Sequence, residues 1–320
     1  MVDSQDILSI KAAHFERLRG FCCVVQAKSV TRAAERLSLS QPAVSLQIRT
    51  LEKDLAVRLF ERHGPKLQLT PEGELLYELA QPLVEAMDTL PQNFAAARGG
   101  LGEGKLDIAA GESTILYLLP PLVCRYQGLY PATRLNLHNV PGEEGLELVR
   151  ANQADFAVGP MLDVPQDLSY WPMYAYDPML IMPQGHPLSQ KEKITLEDIS
   201  QYGLVLPPRT RSTWRFVRLV FRQHHLEFKV ALEVGGWEVV KKYVAVGAGI
   251  SIVTSICLTG EENLVVVPLG EYFPKRTYGV VVRKDKVLTP HAKRFIALMD
   301  PEVAKALAEK PKREGRALAR

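Results

Sequence analysis

The chain has 320 residues, 47% of them apolar and 23% charged, with a net charge of +3. That length suits two or three domains of ordinary size with well-buried cores. No stretch reaches the roughly 18 apolar residues of a membrane span. The opening MVDSQDILSIKAAHFERLRG lacks the basic start, apolar run and cleavage site of a secretory signal, so a cytoplasmic protein with no membrane partner is expected. The four cysteines form no C-x-x-C and read as reduced, mostly buried thiols. His224-His225 has no partner at metal-ligand spacing, so no metal is expected.

Three short helical patterns open the chain, over about 14–70. Phe15, Leu18, Cys22 and Val25 share one helix face. Ala33, Ala34 and Leu37 line a very short second helix, for which Thr31 is the expected N-cap. Val44, Ile48, Leu51 and Leu55 line a third, with Ser40 as N-cap and Pro42 in its first turn. Only Ser38-Leu39-Ser40 separates the last two, which forces a steep crossing. Phe60 to Thr70 reads as two short strands around His63-Gly64-Pro65, a small wing.

Residues 71–98 read as one long helix capped by Thr70, with Pro71, Glu72 and Glu74 in its first turn. Leu75, Leu76, Leu79, Leu83, Val84, Met87 and Leu90 make a stripe that a second copy of the helix would cover most economically. Pro82 is expected to bend this helix and Pro91 to kink or interrupt it. The glycine-rich run 99–104 reads as a hinge. From Lys105 on, strand candidates alternate with helical stretches: Leu106–Ala109, Leu135–Asn139, Phe156–Val158, Met179–Met182, Leu204–Leu206, Val230–Val234, Ile250–Val253, Val265–Val267 and Tyr278–Val282. This is an α/β pattern in two small lobes, lobe I over about 105–180 and 278–304 and lobe II over about 181–277. Residues 305–320 read as a basic, disordered tail.

Charge separates these sections. Arg17 to Lys66 holds ten Lys or Arg against four acids, whereas the helix over 71–97 holds five acids and no Lys or Arg. Positive charge gathered on the three-helix unit suits phosphate neutralisation. The outward face of the third helix carries Pro42, Leu46, Arg49, Thr50 and Lys53, with Ser45 at its edge and Gln41 at its N-terminus. Such a face can enter a major groove, where Gln pairs with adenine and Arg with guanine or phosphate. Arg62 and Lys66 flank the wing at positions suited to the backbone or minor groove. A solvated polar face on a three-helix unit is the simpler alternative.

The run from Ser29 to Leu76 resembles the DNA-binding signature of the LysR-type transcriptional regulators. Thr31-Arg32-Ala33-Ala34, Ser40-Gln41-Pro42-Ala43-Val44-Ser45, Leu51-Glu52, Leu59-Phe60-x-Arg62 and Leu69-Thr70 with Gly73 stand at that family's spacing. The resemblance implies an α+β protein overall: an N-terminal winged helix-turn-helix, a long linker helix, and a two-lobed α/β effector domain like a periplasmic binding protein. It implies double-stranded DNA as partner, self-association through the linker helix into a homodimer or homotetramer, and RNA polymerase as a further candidate partner. Thr31, Arg32, Gln41, Pro42, Ser45, Leu46, Arg49, Lys53, Arg62 and Lys66 are the expected DNA-binding residues. Ala56 stands where the family usually has Gly; if that position needs positive φ, Ala costs roughly 1 kcal/mol.

Four loops of the two-lobed section suit an anionic or zwitterionic ligand, because they stand at strand ends and helix N-termini. They hold Gly111-Glu112-Ser113-Thr114, Gly142, Thr210-Arg211-Ser212-Thr213 and Trp237. Ordinary capping by Ser and Thr is the competing reading for any one of them. The stretches IAAGESTILYLLPPLV and WEVVKKYVAVGAGISIVTS resemble the cysteine-regulon activators within the family, which implies sulfate or an acetylserine-like metabolite as effector and no resident cofactor. Ser113 and Ser212 match hydroxyl-bearing ligand positions of that subgroup. Gly111 and Thr114 depart from it, and Glu112 adds a negative charge beside the site. No nucleophile elbow, phosphate-binding loop or dinucleotide fingerprint is present, so no enzyme is expected.

Overall fold

A computed structural model describes residues 4–63, 66–97, 103–284 and 286–308. The chain divides into two compact units. One comprises Met1–Gly104 with Arg150–Gln153 and Lys284–Pro290; the other comprises Lys105–Val149, Ala154–Arg283 and His291–Arg320.

The first unit runs α1 (Ser4–Ala27), α2 (Val30–Leu37), α3 (Gln41–Leu55), β1 (Phe60–His63), β2 (Lys66–Leu69) and α4 (Pro71–Ala97). Helix α1 begins at Ser4, well before the start near His14 that its apolar spacing marks. Val24, Ala33, Ala34, Val44 and Ile48 bury against one another, and Phe21, Leu51, Leu59, Ala80 and Val84 form a neighbouring core. The α2 cap is Ser29, not Thr31: Ser29 is extended (φ −162°) and its Oγ accepts from Arg32 N at 3.4 Å, which puts Thr31 inside the first turn. Ser40 caps α3 as expected, accepting from Ala43 N at 3.3 Å. The turn between the helices closes through Ser38 in the left-handed region (φ 55°). Ala56 ends α3 in the same conformation (φ 54°), so the alanine sits where glycine is favoured. Glu52 then sets the wing, its carboxylate accepting from Leu59 N at 2.8 Å and Phe60 N at 3.4 Å. Strands β1 and β2 pair antiparallel, Phe60 opposite Leu69 and His63 opposite Lys66.

Thr70 caps α4: its Oγ1 accepts from Gly73 N at 3.0 Å and donates to Arg58 O at 2.6 Å. A Cβ on Gly73 would overlap Leu59 O, which is why that position is glycine. The helix continues through both Pro82 and Pro91, so Pro91 does not interrupt it. One face of α4 packs Leu76, Tyr77, Ala80 and Val84 into the core with α1 residues. Another leaves Leu75, Leu79, Leu83, Met87, Leu90 and Phe94 each more than half exposed.

The second unit begins with β3 (Gly104–Ala110), so Gly104 belongs to a strand rather than a hinge; 98–102 lie outside the described residues. A wide, π-type turn (Thr114–Leu118) leads into α5 (Leu119–Leu129), then β4 (Thr133–Asn139), α6 (Gly142–Arg150), β5 (Phe156–Pro160) and β6 (Leu168–Tyr176). The chain crosses to lobe II at Asp177 and forms β7 (Pro178–Pro183), α7 (Leu196–Ser200), β8 (Gly203–Leu206), α8 (Ser212–Gln223), β9 (Lys229–Glu233), α9 (Trp237–Ala245), β10 (Ser251–Thr254) and β11 (Leu264–Pro268). It returns as β12 (Arg276–Arg283), followed by α10 (Pro290–Met299) and α11 (Pro301–Ala308). Both crossings come a few residues before the expected lobe boundaries. Lobe I is a five-stranded sheet in the order β4-β3-β5-β12-β6. Lobe II carries β10-β7-β11 and the parallel pair β8-β9, linked by a bridge between Leu204 and Ile250.

Two further expectations need correction. Strand β6 is not among the strand candidates because Pro172 interrupts its pattern. It sits at the sheet edge and the register shifts beside Gly279 and Pro172, so no ladder donor is missed. Residues 305–308 are helical, not tail: Asp300 Oδ1 accepts from Glu302 N (2.8 Å) and Val303 N (3.2 Å), and Pro301 opens α11. Residues 309–320 lie outside the described residues.

Candidate DNA-binding surface and interlobe ligand site

Burial of Val44, Ile48 and Leu51 turns the opposite side of α3 outward. Gln41, Pro42, Leu46, Arg49 and Lys53 are exposed there, Leu46 by 66%, and Ser45 is half-buried at the edge. Thr31 and Arg32 of α2 are exposed as well. Thr50 turns back, donating from Oγ1 to Leu46 O at 2.8 Å, and so offers less to a groove. Arg17 is tied to Asp54 at 2.6 Å and Arg19 to Asp88 at 3.3 Å, which removes two of the ten cations from the free positive surface. Arg62 and Lys66 hold opposite strands of the wing in the backbone; their side chains lie outside the described residues.

In the second unit, the centre of the lobe interface is a residue absent from the expected set. Arg276 opens β12 and is 6% exposed. Its Nη1 donates to Thr213 Oγ1 and its Nη2 to Ser212 Oγ, each at 2.8 Å, and its guanidinium lies 5.5 Å from the centre of the Phe216 ring. Among the described residues no carboxylate pairs with it. Burial accordingly pulls its pKa down, against the opposing influence of Tyr278. Ser212 and Thr213 form the first turn of α8, whose N-cap Arg211 supplies no side-chain cap. A buried cation therefore faces the positive end of a helix, an arrangement that calls for an anion. Two residues further along the same strand face, burial raises the pKa of Tyr278, and the nearby hydroxyls of Ser113 from lobe I and Thr254 from lobe II oppose that rise.

The loop after β3 completes this side. Thr114 is 1% exposed, and among the described residues its Oγ1 has no hydrogen-bond partner. Glu112 reaches the first turn of α9, where a Cβ on Gly236 (φ 82°) would stand 2.6 Å from its Oε1. Glycine there makes room for the carboxylate, and the helix dipole favours it. Beyond it, Tyr117 of lobe I donates to Glu238 of α9. Lys241, 5% exposed, is neutralised: its Nζ lies 2.8 Å from Glu238, from Glu262 and from Cys257 O. Burial opposes ionisation of Glu262, but Lys241 and the Thr259 N–H overcome it and hold the carboxyl at about 2.

The expected ligand residues are thus sorted. Ser212 and Thr213 bond to Arg276, and Ser113 lies near Tyr278; Glu112 and Thr114 stand on either side of Ser113 in the chain. Gly111 stands between β3 and Glu112, half-buried. Gly142 is exposed at the start of α6, whose first turn already holds Glu143 and Glu144, so it is a poor anion seat. Thr210 is exposed, Arg211 is half-buried at the cap, and Trp237 is 9% exposed. Arg209 is engaged with Trp214 and Glu233. Arg276 falls outside the expected set because the apolar run of its strand begins only at Tyr278; the i, i+2 pair of Arg276 and Tyr278 at the mouth of that run is the available signal.

A winged three-helix unit with a polar helix face turned outward, on one chain with a two-lobed α/β unit, defines a ligand-responsive DNA-binding regulator. Comparison with known proteins names the class: a profile for the bacterial regulatory helix-turn-helix protein, lysR family, matches residues 15–74, and one for the LysR substrate binding domain matches residues 99–304. The chain belongs to the LysR family of DNA-binding transcriptional regulators and carries that family's effector-binding domain. Its relatives are regulators, not enzymes. It is 26% identical over 288 residues to the HTH-type transcriptional regulator CysB of Burkholderia cenocepacia (88% of this chain, 91% of the relative). It is 30% identical over 241 residues to CysL of Bacillus subtilis (75% of this chain, 80% of the relative). A full-length OxyR variant of Pseudomonas aeruginosa shares the fold, with a TM-score of 0.68 at 23% identity over 89% of this chain and 93% of that one. Among the described residues no helix is long and apolar enough to cross a membrane.

Proposed function

We propose that this regulator is controlled by a small anionic effector held between the lobes by Arg276, Ser212 and Thr213. The buried guanidinium without a carboxylate carries this reading. A protein does not keep such a charge desolvated unless something pairs with it in the working state. Ser212 and Thr213 accept from Arg276, which leaves their own O–H groups to donate to an anion. Sulfate and acetylserine-like metabolites are the first compounds of this chemistry to test; no resident cofactor is needed.

The rest of the reading follows from the exposed surfaces. Gln41, Pro42, Ser45, Leu46, Arg49 and Lys53 enter the major groove, Thr31 and Arg32 approach it from α2, and Arg62 and Lys66 meet the backbone through the wing. The exposed stripe of α4 seats a second copy, giving a dimer that can pair into a tetramer on DNA beside RNA polymerase in the cytoplasm. Effector binding shifts the lobes between two arrangements and changes how far the DNA is bent. Footprinting of wild type, Arg276→Gln and Gln41→Ala on operator and random DNA tests this. Ligand should alter wild-type footprints and leave Arg276→Gln unresponsive, and Gln41→Ala should lose specific binding more than nonspecific. An Arg276→Gln protein that still responds sinks the anion site.

A further inference from the structure

Helix α3 carries two acids in the unit that meets DNA phosphates, where negative charge opposes binding. Asp54 pairs with Arg17 at 2.6 Å. Glu52 pairs with no cation among the described residues. Its Oε1 instead accepts from Leu59 N at 2.8 Å and Phe60 N at 3.4 Å, across the turn that leaves α3. The carbonyl side of the same segment is held by the next helix. Thr70 Oγ1 donates to Arg58 O at 2.6 Å, and Thr70 N donates to Leu59 O at 3.1 Å. The first turn of α4 lies so close to Leu59 O that Gly73 has no room for a Cβ. The Leu59 side chain is fully buried in the core that holds Phe21, Leu51 and Ala80. Residues 58–60 thus have N–H groups on α3 and C=O groups on α4, and they are also the root of the wing.

We propose that Glu52 and Thr70 are positioning residues for DNA binding: they grip the wing root from both sides and fix the angle at which wing and recognition helix meet one duplex. This rests on the reading above in which Arg62 and Lys66 meet the DNA backbone, and it says how they are aimed. Thr70 is buried and the Glu52 carboxylate is turned to backbone N–H groups, so neither is placed to touch DNA. Arg62 stands two residues beyond Phe60 on β1, opposite Leu67, and Lys66 stands opposite His63. A two-stranded ribbon has little stability of its own, so its direction is set at its root. Wing and recognition helix are tethered contacts, and each strengthens the other only while their geometry lets both engage. A wing free to swing loses that coupling.

The experiment compares charge-matched variants of the full chain. Glu52→Ala and Glu52→Gln remove the same negative charge, but Gln keeps a carbonyl oxygen within reach of both N–H groups. Binding is measured across a range of salt on a site enriched from random-sequence DNA by the wild-type chain. Glu52→Ala should weaken binding by about tenfold and lower the salt slope by about 1–2, as expected when the wing phosphate contacts are lost. Glu52→Gln should bind no weaker than wild type and keep its slope. In an Arg62→Ala/Lys66→Ala background, Glu52→Ala should add less than about twofold, because no wing contact is left to misplace. Thr70→Val and Thr70→Ser form the parallel pair, Ser keeping the hydroxyl, and they decide if Glu52→Ala does not fold. Equal effects of Ala and Gln, a weakened Glu52→Ala with an unchanged slope, or its full loss in the Arg62→Ala/Lys66→Ala background each overturn the positioning role and leave the wing reading standing. If Arg62→Ala/Lys66→Ala itself changes neither affinity nor slope, the wing reading falls and the positioning role with it.

Discussion

Two buried cations serve opposite ends. Lys241 sits among Glu238, Glu262 and a backbone carbonyl, and its charge is answered within the protein. Arg276 sits on two hydroxyls and a helix N-terminus, and its charge is not. The first arrangement holds lobe II to itself; the second stores an unmet demand that a ligand can satisfy. Burial alone does not distinguish structure from function. The partner inventory does.

The largest test of that contrast is Lys241→Met. It leaves Glu262, with only 12% of its side chain exposed, unpaired, and chemical denaturation should show a loss of about 3–5 kcal/mol. Acid should reach the same cluster. The folded Glu262 carboxyl stands at about 2, below its ordinary 4.5, so its contribution is complete above pH 4.5 and drains away as pH falls toward 2. Wild type should lose roughly 3 kcal/mol more than Glu262→Gln across that window; parallel curves would show that Lys241 does not hold the carboxylate. Arg276→Met should act in the opposite direction, stabilising the ligand-free protein by about 1–2 kcal/mol while removing ligand response. A destabilised Arg276→Met would mean that the guanidinium is structural, like Lys241. The smallest effect belongs to another uncompensated cost, the left-handed Ala56: Ala56→Gly should raise stability by about 1 kcal/mol without changing DNA affinity.

The first unit is largely legible in the sequence because its signals are local. Ser40, Pro42, the apolar spacing of α3, Thr70 and Gly73 each act within a turn or two of their own position. The α2 cap shows the limit: Ser29 and Thr31 are both capable caps, and only the backbone geometry selects Ser29. The two-lobed unit is legible as alternating elements but not in its long-range features. Pro172 is excluded from a central strand and tolerated at an edge, and position in a sheet is decided by strands more than a hundred residues away. Arg276 reads in sequence as a solvent-exposed residue before a strand. Its burial comes from α8, more than sixty residues earlier, closing over it.

The Lys275–Asp177 pair joins the two places where the chain passes between lobes. Two straps fastened side by side behave as a door hinge: sliding and twisting are resisted, and swing about the line through them is the soft motion. Arg276 follows Lys275 directly and so stands close to that pin. An anion bound there, as proposed, would work with a short lever arm, and a small displacement would become travel at the far rims of the lobes in proportion to their distance from the pin. If the proposed anion binds at this fulcrum, a small molecule can move protein surface many times its own size.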